Sequence, residues 1–239
     1  MATLSFSKRC FKEIIRDPIS IIFAIILPLF LLFIFTQINI PSPNYQINNL
    51  TPGIIIFSYS FITLFTATLV AKDRSTLLLI RLGISPMKTI SYILGYVLAI
   101  MPIVIIQNLS IYLLGLILNL NFSVRIIYAI LLSLPISFLF IGLGIIIGSL
   151  VSDKAAAGVS SIIVQVVSFT SEMYFDASML SKGFSKFCDV LPFASCVDIL
   201  KALISNTYDN FVLDIIKVFC YTIIVLTIAC IIFKRKLTK

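Results

Sequence analysis

The chain has 239 residues, 60% of them hydrophobic and only 12% charged, with 18 Lys and Arg against 10 Asp and Glu for a net charge of +8. That is too little polar surface to cover a soluble globule of this size, and the basic residues lie in the gaps between apolar stretches instead of forming one patch. Together these features exclude a nucleic-acid-binding domain and indicate a polytopic membrane protein. Histidine is absent and the five cysteines show no C-x-x-C spacing, which removes the commonest metal ligand and general base.

In chain order, residues 6 to 17, FSKRCFKEIIRD, place Phe11, Ile14 and Ile15 on one helical face, with Lys8, Arg9, Lys12 and Arg16 beside and opposite it. This pattern fits equally an interfacial helix on the inner leaflet and a plain basic flank to the first span. The charged lead and the length of the first apolar run do not match a cleavable signal peptide. Pro18 permits a change of direction into a span from Ile19 to Ile38, which Pro28 is expected to kink. Residues 39 to 50, uncharged and rich in turn formers, read as an external loop, and Pro52 to Ala71 as the second span.

The next stretch, KDRSTLLLIRLGISPMKTISYILGYVLA from Lys72 to Ala99, interrupts the apolar pattern. Lys72, Arg74, Arg81 and Lys88 mark it as cytosolic. Arg74 to Leu82 fits a short helix that Gly83 and Ser85-Pro86 terminate, since a residue before proline is pushed out of the helical region. Arg74 and Arg81, two turns apart, would share a face able to meet acidic or carbonyl groups of a docking protein. The alternative is that both only anchor the loop to anionic lipid.

Ile90 to Leu118 is a long third span containing Gln107 and Asn108, amides that at this depth more often bond a neighbouring helix than a substrate. The fourth span, Ile126 to Val151, carries Gly142, Gly144 and Gly148, including a G-x-x-x-G step suited to close helix packing. Ser152, Asp153 and Lys154 read as a tight cytosolic turn, and Ala155 to Asp176 as the fifth span. Glu172 and Asp176, four residues apart, would then share a face near its outer end. They either simply mark the end of the span or form an acidic mouth that favours cationic cargo. Residues 177 to 213 hold apolar runs too short to cross and read as an external cap or a re-entrant pair of half-helices. Cys188 and Cys196 fall there, and whether they pair is left open; Cys220 and Cys230 read as small hydrophobes inside the last span. That sixth span runs from Asp214 to Phe233, and Lys234-Arg235-Lys236 pins its end in the cytosol.

The layout is thus an all-α integral membrane protein, a single transmembrane domain over residues 1–239, with six spans and both termini inside. It puts 13 basic residues in cytosolic segments and five outside.

The order of parts resembles the permease subunit of the type-two ABC exporters, which move drugs, peptides, lipids or polysaccharide out of bacterial cells. FKEIIRDPISIIFAIILPLF is similar to the family's basic helix, R-x-P junction and proline-bearing first span. DRSTLLLIRLGISPMKTISYILGYVLA resembles its cytosolic segment and a third span opening with a Gly. MYFDASMLSKGFSKFCDVLPFASCVDILKALI looks like its external hairpin, with Leu191-Pro192-Phe193, Asp198 and Lys201-Ala202-Leu203. Glu172 stands where the family commonly has Gly, Asp176 where it has Pro, and Lys201 where it has Arg.

The resemblance implies a multi-pass protein of the bacterial plasma membrane, working as two permeases, identical or paralogous, with two cytosolic ABC ATPases. ATP and Mg would sit on the ATPase, because this chain has no G-x-x-x-x-G-K-[ST] loop, and the chain itself would bind no cofactor. The coupling residues would be Arg74, Ser75, Arg81, Gly83, Ser85 and Pro86, with Asp153 and Lys154 as a smaller contact. Gln107, Asn108, Glu172 and Asp176 are candidates for the translocation path. Two other readings are a membrane-embedded enzyme, such as a lipid-modifying transferase or intramembrane hydrolase, and a small channel subunit. The enzyme lacks converging ionisable groups at membrane depth, and the channel gives no reason for an ordered docking helix.

Overall fold

The computed structural model describes residues 2–38, 45–76, 88–173 and 181–237, and among them the regular structure is helical without strands. In chain order the helices are α1 (Ala2–Ile15), α2 (Pro18–Gln37), α3 (Ile47–Ser75), α4 (Thr89–Ile117), α5 (Arg125–Leu150), α6 (Asp153–Thr170), α7 (Lys182–Val190), α8 (Pro192–Ser205) and α9 (Phe211–Leu237). Four of them, α3, α4, α5 and α9, are long and apolar enough to cross a membrane. The apolar α2, of 20 residues, and α6, of 18, are shorter.

The 29 residues of α3 and of α4 span about 43 Å at 1.5 Å per residue, against about 30 Å of hydrocarbon. Both therefore project beyond an apolar core. The projecting C-terminal turns of α3 and N-terminal turns of α4 meet α1 at one end of the bundle, the basic end.

α3 is the axis. It packs against α2, α4, α5, α6 and α8, and 83% of its most apolar stretch is buried, against 22% for the peripheral α9. Small hydroxyl side chains allow this. Ser58, Ser60, Thr63 and Thr66 are fully buried, and Ser58, Ser60 and Thr66 return their protons to carbonyls of their own helix at 2.5–2.7 Å. Small satisfied side chains let helix backbones approach where the hydrophobic effect offers no gain over lipid. α5 supplies the matching surface. A Cβ on Gly144 would stand 2.6 Å from the Thr63 carbonyl oxygen, and one on Gly148 2.4 Å from that of Ala67. The G-x-x-x-G step is thus the contact line between α3 and α5, and Thr63 crosses it to donate to the Phe140 carbonyl at 3.0 Å.

Both amides of α4 make interhelical bonds. Asn108 donates to the Tyr59 hydroxyl of α3 at 2.7 Å, and that hydroxyl donates on to the Ser133 carbonyl of α5 at 3.1 Å. Gln107 donates to the Ala24 carbonyl of α2 at 3.0 Å. Ala24 lies four residues before Pro28, whose missing N–H leaves this carbonyl without its helical partner. Gln107 therefore repairs a defect that a proline makes in another helix.

Several boundaries differ from the hydropathy reading. The second span begins at Ile47, five residues before Pro52, and the last at Phe211. Asp153 and Lys154 open α6, with Ser152 extended in front of it, so the expected turn is shorter than its three residues. The fifth span ends at Thr170 instead of Asp176, because Glu172 adopts a left-handed conformation with φ 54°. That is the position after a helix cap where glycine carries no Cβ penalty, which accounts for the Gly that the family pattern favours there. Residues 182–205 form two helices meeting at Leu191, extended ahead of Pro192 at the first position of α8. Cys188 and Cys196 are buried free thiols.

Replacing Gln107 by Met leaves the Ala24 carbonyl unpaired but also removes Oε1, which has no protein partner among the described residues. The net loss of stability is expected to be about 1 kcal/mol. In a Pro28→Ala background the restored N–H takes that carbonyl, and the cost of Gln107→Met should vanish in thermal unfolding of the detergent-solubilised protein.

Candidate functional site

At the basic end, three segments distant in sequence converge on one carboxylate. Asp73 sits in the last turn of α3 and is fully buried. Arg9 of α1 donates to its Oδ1 at 2.6 Å and the Tyr96 hydroxyl of α4 to its Oδ2 at 2.8 Å. Arg9 also bonds Glu13 one turn along α1 at 2.5 Å, and Glu13 accepts Lys72 at 3.2 Å. Each carboxylate oxygen of Asp73 has a donor, which is what a buried charge requires.

Apolar packing fixes the same arrangement. Phe6 lies edge-on to Tyr92 and Tyr96, with centroids 5.4 and 5.1 Å apart, and Tyr96 also meets Phe233 of α9 at 6.0 Å. The Phe6 ring rests on Gly95, where a Cβ would stand 2.4 Å from Cδ1. This is the glycine near the start of the third span that the family pattern contains. The buried face of α1 is Phe6, Cys10 and Ile14, one residue in each successive turn, whereas Ile15 is 51% exposed. The expected apolar face of Phe11, Ile14 and Ile15 is corrected accordingly, because protein contact and not lipid selects which stripe is buried.

Electrostatics follow from this burial. Burial opposes the Arg9 charge, but the Asp73 hydrogen bond and charge outweigh it and hold the guanidinium above its ordinary pKa. Burial, reinforced by the Asp73 carboxylate, pushes the Cys10 thiol up to about 12. Cys10 is therefore a packing residue and not a nucleophile at neutral pH.

The expected coupling residues divide. Arg74 belongs to the last turn of α3, not to a separate helix. Its guanidinium donates to the Ser149 carbonyl and, at 2.5 Å, to the Val151 carbonyl, so it caps the C-terminus of α5. α3 stops at Thr76, where the Ser75 and Thr76 hydroxyls both return to the Lys72 carbonyl, at 2.9 and 3.0 Å. The rest of the expected Arg74–Leu82 helix, and with it the face that Arg74 and Arg81 would share, lies outside the described residues. Arg81, Gly83, Ser85 and Pro86 lie outside the described residues. Asp153 and Lys154 are exposed beside this end, with Asp153 facing Glu13, Asp17 and Lys72 across a small cavity of about 110 Å³.

Of the candidate path residues, Gln107 and Asn108 are buried in the interhelical bonds described above. Glu172 follows the end of α6 at the opposite end of the bundle, and Asp176 lies outside the described residues. The one-face argument for that pair does not hold, because the helix ends before either residue. Sequence reasoning missed Asp73, Arg9 and Tyr96 as a unit. The available signal was an acid at the end of an apolar span inside an otherwise basic loop.

The family model described as ABC-2 type transporter matches residues 1–205. Comparison with curated proteins gives no match.

The thiol of Cys10 reports the integrity of this site. In a chain whose other four cysteines are replaced by alanine, Cys10 should resist maleimide in the native protein. Asp73→Asn, which weakens a charged hydrogen bond pair worth roughly 1.5–3 kcal/mol per bond, should loosen α1 and raise the labelling rate by about tenfold or more. Unchanged labelling would show that apolar packing alone holds α1.

Proposed function

The chain belongs to the ABC-2 type transporter family, as a multi-pass membrane subunit of a transporter and not an enzyme, and from this premise we propose that it is the permease of an ATP-driven exporter. The basic end faces the cytosol of a bacterial cell, six helices (α2, α3, α4, α5, α6 and α9) cross the membrane, and α7 and α8 form an external hairpin before the last span. Support for the orientation comes from the basic residues gathered at this end of the helices, Lys72, Arg74, Lys88, Lys154 and Lys234 to Lys236.

Coupling to a separate ABC ATPase, which would hold the ATP and Mg, runs through residues 74–88. The observation that carries this reading is the tie between the segments flanking that loop and the rest of the bundle. Asp73 locks the end of α3 to α1 and α4, and Arg74 locks it to the end of α5. A force applied to the loop between Thr76 and Lys88 therefore acts on four helices as one body, while Asp153 and Lys154 offer a second contact at the start of α6. Two permeases with two ATPases complete the assembly. Acidic residues at the outer end, Glu172, Asp198, Asp209 and Asp214, favour a cationic or amphipathic cargo through complementary charge.

Two measurements test this. Single cysteines at Asn44 and Ser185 in a cysteine-free chain should react with an impermeant thiol reagent in intact cells, and one at Ser75 should not. Arg81→Glu should weaken association with the partner ATPase by at least about tenfold, the order expected of a reversed interfacial charge, while membrane insertion is unchanged. Labelling of Ser75 from outside, or normal ATPase binding by the variant, would overturn the topology or the coupling assignment respectively.

A further inference from the structure

The circumference of α1 divides into stripes, at about 100° per residue. Phe6, Cys10 and Ile14 face the bundle, and Arg9 and Glu13 face Lys72 and Asp73. The other side turns away from the protein. Leu4 and Ile15 are 56% and 51% exposed, with Phe11 half-buried between them. Beside this apolar stripe, Lys8, Lys12 and Arg16 recur every fourth residue, all exposed, and none of the three side chains has an ion pair or hydrogen bond among the described residues. They border an open groove of about 800 Å³ whose lining holds five basic residues against two acidic ones, Glu13 and Asp17. Arg9, Lys72 and Glu13 are already engaged with one another or with Asp73.

We propose that this outward side of α1 is a binding surface for the phosphate headgroups of anionic phospholipids. The inference rests on the reading that the basic end borders a membrane leaflet. Two adjacent features select lipid as the occupant. Unpaired cations over three successive turns attract phosphates, each contributing most within a Debye length of an anionic surface. The neighbouring exposed Leu4 and Ile15 need an apolar medium within a few ångström of those phosphates, and the boundary between headgroups and acyl chains provides both. Free phosphate satisfies only the first need. Because Arg9 and the buried stripe fasten α1 to α3 and α4, headgroup binding on its outer side holds the coupling end of the bundle at a fixed depth.

The test uses the full chain reconstituted in equimolar phosphatidylcholine and phosphatidylglycerol, without ATPase or substrate, and reads the motionally restricted fraction of spin-labelled lipid of each kind. The wild type should prefer phosphatidylglycerol by about fivefold. Combining Lys8→Gln, Lys12→Gln and Arg16→Gln should bring the preference to within about twofold. The charge-preserving set Lys8→Arg, Lys12→Arg and Arg16→Lys should retain it, which separates lost charge from lost folding. Lys234→Gln with Lys236→Gln, at the far end of the chain, should leave most of it. A triple Gln variant with the wild-type preference overturns the proposal. So does one that keeps its lipid preference and loses only ATPase binding, since the surface would then belong to the ATPase. As no ATPase or transport enters the lipid measurement, its failure leaves the coupling and topology results standing, and the reverse also holds.

Discussion

A carboxylate that is fully buried at the end of a membrane helix must be satisfied by charge and hydrogen bonds, and Asp73 imposes that requirement on two other parts of the chain. Its two oxygens take one donor from α1 and one from α4, and the same two helices are packed together where Phe6 meets Tyr92, Gly95 and Tyr96. An ion pair of this kind adds little net stability over an apolar replacement, because desolvation of the two charges offsets their attraction. What it supplies is position: the bond from Arg9 sets the turn of α1 that lies against the end of α3. Arg74, the next residue, extends the same constraint to α5 through the carbonyls of Ser149 and Val151 at its end.

Within the bundle a different rule governs. Lipid solvates apolar side chains as well as protein does, so helices associate through close packing and through polar groups that must find partners. Gly144 and Gly148 let α5 approach the backbone of α3. Tyr59 and Asn108 join α3, α4 and α5 at one point, and Gln107 completes the interrupted ladder of α2. These contacts make α2 to α5 a connected unit, and the basic-end network gives that unit a handle. For a transporter subunit the combination matters, because motion of a loop reaches the membrane only if the loop's flanks are fixed to more than one helix.

Much of this architecture is legible in the sequence because its causes are local. Long apolar runs give the helices their approximate places, the spacing of Gly144 and Gly148 gives the tightest crossing, and amides at membrane depth point to interhelical bonds. What escapes is set by contacts between distant residues or by cap geometry. Arg9 and Asp73 are 64 residues apart, and nothing in either segment alone distinguishes a structural arginine from a membrane-orienting one. The same ambiguity applies to Arg74, whose charge suggests an outward partner while its guanidinium turns to α5. Hydropathy cannot place the end of α6, because the left-handed Glu172 is a backbone event that leaves the apolar average unchanged. Nor does composition reveal that the buried stripe of α1 is Phe6, Cys10 and Ile14, since Leu4, Phe11 and Ile15 form an equally apolar stripe on its other side.

The central claim is that Arg9 and Asp73 act as one unit holding α1 to the bundle, and a double-mutant cycle measures it directly. The free energies of unfolding of the wild type, Arg9→Gln, Asp73→Asn and the double variant should show coupling of about 1–3 kcal/mol, with the double variant no less stable than the weaker single one. Strictly additive losses would contradict the account, because they would mean that each residue stabilises the chain without reference to the other.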